Sequence, residues 1–288
     1  GGRLAASGED VRFLVRSDYE GIRENGLTVE SIHGDFRVAV PQVFRSAGQI
    51  GPVDLVIVTW KATANAHYED VIRPLRHEGT VVLTLQNGLG NTERLGRLFG
   101  PESVMGGLCF VCINRIAPGL VRHTGSGAVV LGEVVGGETE RLATMVERFR
   151  SAGIDCRGVE DLARAQWMKL VWNVPFNGLA IAEGGIDTEA LLALPHGEGQ
   201  VRDLMGEVLA GAKALGFDIP EEFMEQQVEV TRPMGPYRPS SMIDFVEGRD
   251  VEVEAIWQEP LRRATAAGAV LPHWTRLLKR IQQRLAKH

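Results

Sequence analysis

Short apolar runs alternate with amphipathic stretches in the first half of the chain. The apolar runs, rich in Val, Ile and Leu, predict buried strands at residues 11–16, 53–60, 80–86, 103–112, 128–131 and near Cys156. The stretches between them predict helices at residues 1–7, 63–76, 92–98 and 138–151. Two more runs, residues 27–31 and 36–40, flank His33-Gly34-Asp35 and predict a β-hairpin. Strands that are apolar at nearly every position and separated by helices indicate a parallel sheet covered on both faces.

From about Asp161 the strand signals stop and the pattern is one of helices only. Helices are predicted at residues 161–182, 197–215 and 220–229, and in long stretches after Asp250 and after His273. The composition changes near residue 158. We therefore predict an α/β domain at residues 1–158 and an all-α domain at residues 159–288.

Three polar side chains share one face of the first helix in this second domain. Lys169, Asn173 and Asn177 follow one another every four residues within the otherwise apolar run 167–177. Side chains four residues apart drift by only ~40° around a helix. A helix that is apolar nearly all round should be buried, and a buried ammonium is costly unless it is paired. The stripe is therefore either a structural polar network or a binding site for a polar ligand.

The length of the chain and its net charge argue for a two-domain protein and against a nucleic-acid-binding or membrane protein. A chain of 288 residues is long enough for two full hydrophobic cores. The net charge of −6 provides no basic patch for nucleic acid and no cationic face for a membrane. No apolar run approaches the ~20 residues of a membrane-spanning helix.

The three cysteines do not make a disulfide framework. Cys109 and Cys112 lie three residues apart in a predicted strand, so their side chains point to opposite faces and cannot share a ligand. We interpret both as structural. The seven histidines show no metal-ligand spacing. These features favour a reduced, cytoplasmic setting and no metal site.

Open α/β sheets bind ligands beyond the carboxyl ends of their strands, and three predicted strand ends carry suggestive residues. An arginine such as Arg16, at the place where dinucleotide folds choose between cofactors, accommodates the 2′-phosphate of NADP. An acidic residue there would instead bind the ribose hydroxyl, and Asp18 is two residues on. Lys61 could add a second charge for the phosphate, although it and Arg16 could equally be solvated surface residues. Asn87-Gly88 is either a simple turn or a close approach to a cofactor, with the Asn amide binding cofactor or substrate.

A dinucleotide-binding fold should also contain a first strand and a G-x-G-x-x-G turn, and this sequence has neither. Residues 1–7 correspond to the end of a first helix, and no Met opens the chain. We expect that roughly 15 residues of the natural chain, one strand and the glycine turn, are absent.

In their order and spacing these residues resemble the ketopantoate reductase (2-dehydropantoate 2-reductase) family over nearly the whole length. The matching segments are Gly2-Arg3-Leu4-Ala5, Leu14-Val15-Arg16, Gln86-Asn87-Gly88, Trp167-x-Lys169-Leu170-x-x-Asn173-x-x-x-Asn177, Ser240-Ser241-Met242, Val251-Glu252-Val253-Glu254 and Leu261-Arg262-Arg263-Ala264. The resemblance implies an amino-terminal Rossmann domain that binds NADPH, followed by an all-helical domain. It also implies reduction of the 2-keto acid 2-dehydropantoate to pantoate, in the biosynthesis of the coenzyme A precursor pantothenate.

The resemblance assigns the catalytic and cofactor roles. Lys169 would polarise the keto oxygen and supply its proton. Glu252 would lie near the nicotinamide ribose and that lysine, and Asn87 would touch both cofactor and substrate. Glu252 could instead be a first-turn carboxylate favoured by a helix dipole, and Glu254 is a rival for its role.

Substrate binding is assigned to three more side chains. The resemblance implies that Ser241 holds the substrate carboxylate, with Asn173 and Asn177 at the hydroxyl end. Ser241 and Asp244 also fit the pattern of a helix capping box, which is the structural alternative.

The sequence departs from the family pattern in three places. Pro175 falls between the two asparagines and should kink the helix. Asp187 stands where family members often carry another amide for the substrate hydroxyl, and the interval from Ser241 to Glu252 is one residue shorter. These departures leave open a reductase of another small 2-keto acid, or a catalytically idle NADPH-binding protein. The helical domain offers surface for a homodimer.

Overall fold

The computed structural model describes residues 1–287, which fall into two compact units. The first unit comprises Gly1–Trp60, Ala64–Gln86 and Thr92–Leu162. The second begins at Ala163 and also includes two short loops, Lys61–Thr63 and Asn87–Asn91. The chain thus leaves the first unit for the second three times.

The first unit is built on a mostly parallel sheet, as predicted. Its strands are β1 Arg12–Leu14, β2 Leu27–Ser31, β3 Phe36–Val38, β4 Gln42–Phe44, β5 Leu55–Val58, β6 Val81–Thr84, β7 Val104–Ala117, β8 Leu120–Glu133 and β9 Cys156–Val159. Seven of them form one sheet in the order β3-β2-β8-β7-β6-β5, with β9 also paired to β8, while β1 and β4 pair in parallel as a separate two-stranded sheet. The pairs β2–β8, β5–β6, β6–β7 and β8–β9 are parallel. The predicted hairpin of β2 and β3 is confirmed.

The long hairpin of β7 and β8 was not predicted. Each strand has 14 residues and the two pair antiparallel, whereas the sequence pattern indicates only the inner parts, residues 103–112 and 128–131. The outer parts are more exposed and contain register shifts, so they lack a continuous apolar run. The length of β8 lets it pair with β2 along its beginning and with β9 along its end.

Helices cover both faces of this sheet. They are α1 Gly2–Ala6, α2 Tyr19–Asn25, α3 Ala47–Ile50, α4 Tyr68–Ile72, α5 Asn91–Phe99 and α6 Glu140–Ser151. Val82 and Leu83 are neighbours on β6, yet they belong to two different buried clusters, as expected for side chains on opposite faces of a strand. The helix predicted at residues 63–76 is broken into a short α4 between 3₁₀ turns, the second of which contains Pro74.

The second unit is all helical, as predicted. Its elements are α7 Leu162–Ala182, α8 Thr188–Ala193, α9 Gly197–Ala214, α10 Glu222–Thr231, α11 Ser240–Val246, a π-helical turn Glu254–Gln258, α12 Glu259–Ala266 and α13 Pro272–Leu285. Two of these helices, α8 and α11, were not predicted because they are too short to show a clear 3.6-residue period. Among the described residues, no helix has both the length and the apolar character needed to cross a membrane.

Helix α7 runs through the core of this unit and continues past Pro175 for a total of 21 residues. The carbonyl of Val174, the residue before this proline, accepts a hydrogen bond from the indole Nε1 of Trp257 at 3.0 Å. Gly178 makes the close approach of that ring possible, because a Cβ there would lie 2.7 Å from Trp257 Nε1 and 2.7 Å from Leu277 Cδ2.

We predict that Gly178→Ala destabilises the protein by ~1–3 kcal/mol through overpacking against Trp257 and Leu277. Gly206→Ala in α9 is the matched control, because an added Cβ there meets nothing within 4 Å. That control should leave stability unchanged or raise it by ~0.5–1 kcal/mol through the higher helix propensity of alanine. Urea unfolding monitored by tryptophan fluorescence measures both. A Gly178→Ala protein as stable as Gly206→Ala would contradict the packing argument.

Candidate active site

The predicted stripe on α7 begins at a lysine that an amide holds in place. The half-buried Lys169 donates from Nζ to Oδ1 of Asn87 at 2.8 Å. Asn87 is the third residue after β6 and opens the loop Asn87–Asn91. The structure thus brings together two predicted site residues that are 82 positions apart. The amide orients the ammonium and adds no charge of its own.

The loop that carries Asn87 is fixed on the π-helical turn. Leu89 N donates to the carbonyl of Ala255 at 2.9 Å, and Asn91 Nδ2 donates to the carbonyl of Asn87 at 2.9 Å. Gly88 has φ +80°, and a Cβ there would lie 2.2 Å from the Ala255 oxygen. Only glycine fits this position. Asn87-Gly88 is therefore both a turn and a close approach, and in this structure the approach is to Ala255.

A buried glutamate lies beside this lysine. Glu252 is 4% exposed, and its Oε1 accepts a hydrogen bond from the backbone N–H of Ala62 at 2.7 Å. Burial raises the pKa of Glu252 above its ordinary value, and the carboxylate of Asp244 adds to the increase. The Ala62 N–H and the ammonium groups of Lys61 and Lys169 oppose it. A carboxyl group in these surroundings holds a proton more readily than one in water.

The structure also distinguishes Glu252 from Glu254, its rival in the sequence. Glu254 is exposed, so the rival residue does not share this environment. The carboxylate of Glu252 binds Ala62 N, in a loop that follows β5, rather than an amide of its own helical turn. The carbonyl of Glu252 accepts a hydrogen bond from Ile256 N at 3.1 Å, so Glu252 also lies at the start of a helix, and the helix-dipole alternative stays open.

Lys61 makes contacts different from those predicted. Its ammonium forms a close ion pair with the buried Asp244 and lies 4.0 Å from Oε2 of Glu252. Asp244 also accepts a hydrogen bond from Nε of Arg249 at 3.0 Å. Sequence reasoning missed Asp244 as a charged partner, because the pairing joins residues 183 positions apart and has no local signal. The charge of Lys61 is directed at carboxylates, and its contact with a cofactor phosphate stays a prediction.

The capping-box alternative for Ser241 is wrong. Helix α11 begins at Ser240, its N-cap is Pro239, and no side chain caps it. The backbone N–H of Ser241 instead donates to Oδ1 of Asn177 at 2.9 Å. Its hydroxyl is buried and has no hydrogen-bond partner within the described part of the chain. A buried hydroxyl without a partner costs ~1–3 kcal/mol, and either a bound ligand or an ordered water would satisfy it.

The other two amides lie on the same stripe of α7. Asn177 is 2% exposed and Asn173 is 7% exposed. Because its Oδ1 is used by Ser241, Asn177 has its NH₂ group left as a donor. Asn173 lies one helical turn from both Lys169 and Asn177. The structure therefore places Lys169, Asn173 and Asn177 along one helix face, with Ser241 at its far end.

Asp187 has a local structural contact. It is the N-cap of α8, and its Oδ1 accepts a hydrogen bond from Ala190 N at 2.8 Å. Aspartate is among the best N-cap residues because its oxygen satisfies a free backbone N–H of the first turn. The departure from the family pattern at this position thus coincides with a helix cap.

Arg16, in the first unit, is exposed and lies two residues beyond β1. The neighbouring acidic residue, Asp18, is bound by Arg115 through two hydrogen bonds of 2.7 Å each. These contacts hold the pKa of Asp18 below its ordinary value. The Asp18 carboxylate, which could otherwise bind a ribose hydroxyl, is thus paired with Arg115. Arg16 itself forms no ion pair with any residue in 1–287.

A mostly parallel α/β unit followed by an all-α unit, with a half-buried lysine held by an amide near a buried glutamate, is the arrangement expected of a two-part nucleotide-dependent oxidoreductase. Family models described as "Ketopantoate reductase PanE/ApbA" and its C-terminal part match residues 1–136 and 161–284. The chain belongs to the ketopantoate reductase family.

Individual relatives agree with this assignment. The chain is 38% identical to a 2-dehydropantoate 2-reductase from a Nostoc species, over 94% of this chain and 86% of the relative. A crystal structure of 2-dehydropantoate 2-reductase from Geobacter metallireducens is similar with a TM-score of 0.95 and 46% identity, covering 98% of this chain and 94% of that one. The Methylococcus capsulatus structure of the same name gives a TM-score of 0.90 and 31% identity, over 99% and 92%.

Proposed function

We propose that this protein is an NADPH-dependent reductase that converts 2-dehydropantoate to pantoate, in the biosynthesis of the coenzyme A precursor pantothenate. The observation that carries the proposal is the Lys169 ammonium, held by the Asn87 amide beside the buried Glu252, in a member of this family. The names of its relatives in Nostoc and Geobacter support the substrate. Its three free cysteines support a reduced, cytoplasmic setting.

The chemistry of the proposal follows from the charge on Lys169. When bound, a nicotinamide cofactor supplies the hydride that adds to the keto carbon. The keto oxygen then gains negative charge, which an ammonium in a partly dry site stabilises and can neutralise by giving up a proton. Asn87 keeps the ammonium directed without competing for its charge. Glu252, whose pKa is raised by burial, takes on its negative charge beside Lys169 less readily than an exposed carboxyl group would.

Substrate contacts are proposed along the same helix face. The buried hydroxyl of Ser241 is a donor for the substrate carboxylate, which would satisfy the missing hydrogen bond. Asn173 and the NH₂ group of Asn177 are proposed to bind the hydroxyl end. Asn177 would then do two things at once, because its oxygen also holds the start of α11 through Ser241 N.

The charges around Arg16 fit the 2′-phosphate of a phosphorylated dinucleotide. Arg16 is an exposed guanidinium beyond the end of β1, and the nearby Asp18 is neutralised by Arg115, so positive charge dominates there. We propose that Arg16 binds the 2′-phosphate of NADPH. Asn87 and Glu252 are proposed to contact the cofactor, and Lys61 to do so beside its two carboxylate partners.

A second candidate is a reductase of another small 2-keto acid. It is favoured by Asp187, which caps α8 where family members often have a substrate-binding amide, and by Pro175 inside α7. Both candidates use the same reaction, and they differ only at the hydroxyl end of the substrate. A homodimer formed through the helical unit stays a prediction.

A panel of 2-keto acids tests the function. We expect 2-dehydropantoate to give the highest kcat/KM for NADPH oxidation, above 3,3-dimethyl-2-oxobutanoate, which has the same carbon skeleton without the hydroxyl group. A site that hydrogen-bonds a hydroxyl should discriminate strongly against the analogue without it. A higher value for a different keto acid would support the second candidate. NADPH binding with no oxidation on any keto acid would indicate a catalytically idle protein and contradict the proposal.

Removal of the ammonium tests Lys169. We predict that Lys169→Ala lowers kcat by ~100-fold or more, on the scale of lost acid catalysis. Lys169→Met should lose as much, although it keeps an unbranched side chain of similar length. Lys213→Ala, an exposed lysine on α9, is the control and should keep full turnover. Near-normal turnover in either Lys169 variant would end the assignment.

Cofactor choice tests Arg16. We predict that Arg16→Ala raises the KM for NADPH while the KM for NADH changes little, because only NADPH carries the 2′-phosphate. Arg23→Ala, which removes an exposed arginine from α2, should change neither value. Equal losses with the two cofactors would refute the phosphate role.

A further inference from the structure

Two buried carboxylates share one ammonium in the second unit. Asp244 is 2% exposed and Glu252 is 4% exposed, and the Lys61 ammonium pairs with the first and lies 4.0 Å from the second. Buried charges of like sign are costly unless cations or hydrogen-bond donors compensate each of them. The distance of the Lys61 ammonium from each carboxylate therefore affects how readily that carboxylate ionises.

The division is unequal. Asp244 has Lys61 in direct contact and also accepts a hydrogen bond from Arg249 Nε at 3.0 Å. Glu252 has the Ala62 N–H at 2.7 Å, while the Lys61 ammonium, 4.0 Å from its Oε2, is drawn towards Asp244. Of the two carboxylates, Asp244 therefore has the closer contact with Lys61 and a second cation besides.

We propose that Asp244 is a positioning residue, which draws Lys61 away from Glu252 and thereby keeps Glu252 less ionised beside Lys169. The charged groups that act on Glu252 are Lys61, Lys169 and Asp244, and Arg249 acts on it through Asp244. Burial is the main cause of the raised pKa of Glu252, Lys61 lowers that pKa and the charge of Asp244 raises it. Asp244 itself need not touch a substrate.

The catalytic consequence rests on the proposed function. A fully ionised Glu252 would stabilise the ammonium form of Lys169 and oppose proton transfer to the keto oxygen. A less ionised Glu252 weakens that opposition. Through Lys61 and Glu252, Asp244 would then make Lys169 a better proton donor.

The titration of Glu252 tests the proposal directly. NMR of the protein labelled with ¹³C at the glutamate side-chain carboxyl carbon follows each group, and Glu252→Gln identifies the signal. In Asp244→Asn, which keeps the size of the side chain, we expect the midpoint of Glu252 to fall by about one pH unit. Loss of the like charge and closer approach of Lys61 both act in that direction. An unchanged or higher midpoint would overturn the proposal.

Glu247→Gln is the matched control. Glu247 is half exposed, pairs with the same Arg249, and lies three residues beyond Asp244. Its removal takes away one negative charge from the same cluster without removing the partner of Lys61. We expect the Glu252 midpoint to stay where it is in the wild type. A fall as large as that in Asp244→Asn would mean that Lys61 is not the intermediary.

Two further variants test whether Lys61 carries the effect of Asp244 on Glu252. They also test the proposal if the Asp244→Asn protein does not fold. Arg249→Gln removes the second cation from Asp244, so Lys61 should be held there more strongly and the Glu252 midpoint should rise. Lys61→Met should also raise it. In the Lys61→Met background, Asp244→Asn should produce a smaller fall than in the wild type. Strict additivity, or a lower midpoint in Arg249→Gln, would overturn the role of Lys61.

Activity supplies a separate outcome. If the proposed function holds, the pH profile of kcat in Asp244→Asn should move to lower pH in parallel with the Glu252 midpoint, while KM for the keto acid changes little. A profile that keeps its shape at reduced height would indicate a purely structural residue. If the wild-type protein reduces no keto acid, the proposed function fails, and the NMR midpoints still decide the proposal for Asp244.

Discussion

Buried charge in the helical unit has to be compensated at the place where it lies, and this constraint organises the candidate site. Lys169, Glu252 and Asp244 would each be costly in an apolar core without partners. Their partners come from two loops, which supply the amide of Asn87, the ammonium of Lys61 and the N–H of Ala62. The contacts that offset the cost of burying these charges include the one that orients the Lys169 ammonium.

Backbone geometry holds those loops in place. Gly88 permits a close approach to the carbonyl of Ala255, and Leu89 N donates to that same carbonyl. Ala255 belongs to the π-helical turn, and Glu252 lies two residues before that turn begins. π-Helical turns leave carbonyl groups free of the regular helical ladder and occur often at functional sites. One turn thus positions both the amide that binds Lys169 and the carboxyl group that acts on it.

Several elements could be predicted because their signal is local. The stripe Lys169, Asn173 and Asn177 follows from helical spacing, and α7 matches the predicted range 161–182 to within a residue. The outer half of the β7–β8 hairpin could not be predicted, because exposed strands with register shifts have no apolar period. The helices α8 and α11 were missed because they are too short for a period to develop.

The amino-acid sequence by itself determined the order of the elements, the apolar character of α7 and the polar residues on its face, because these depend on neighbours along the chain. The resemblance supplied the family and the expected roles. Only the tertiary structure decided that Glu252 rather than Glu254 is buried, that Asp244 pairs with Lys61, and that Asp187 caps a helix. Those outcomes depend on which side chains from distant parts of the chain meet in a low-dielectric interior, where an unpaired charge is too costly to remain.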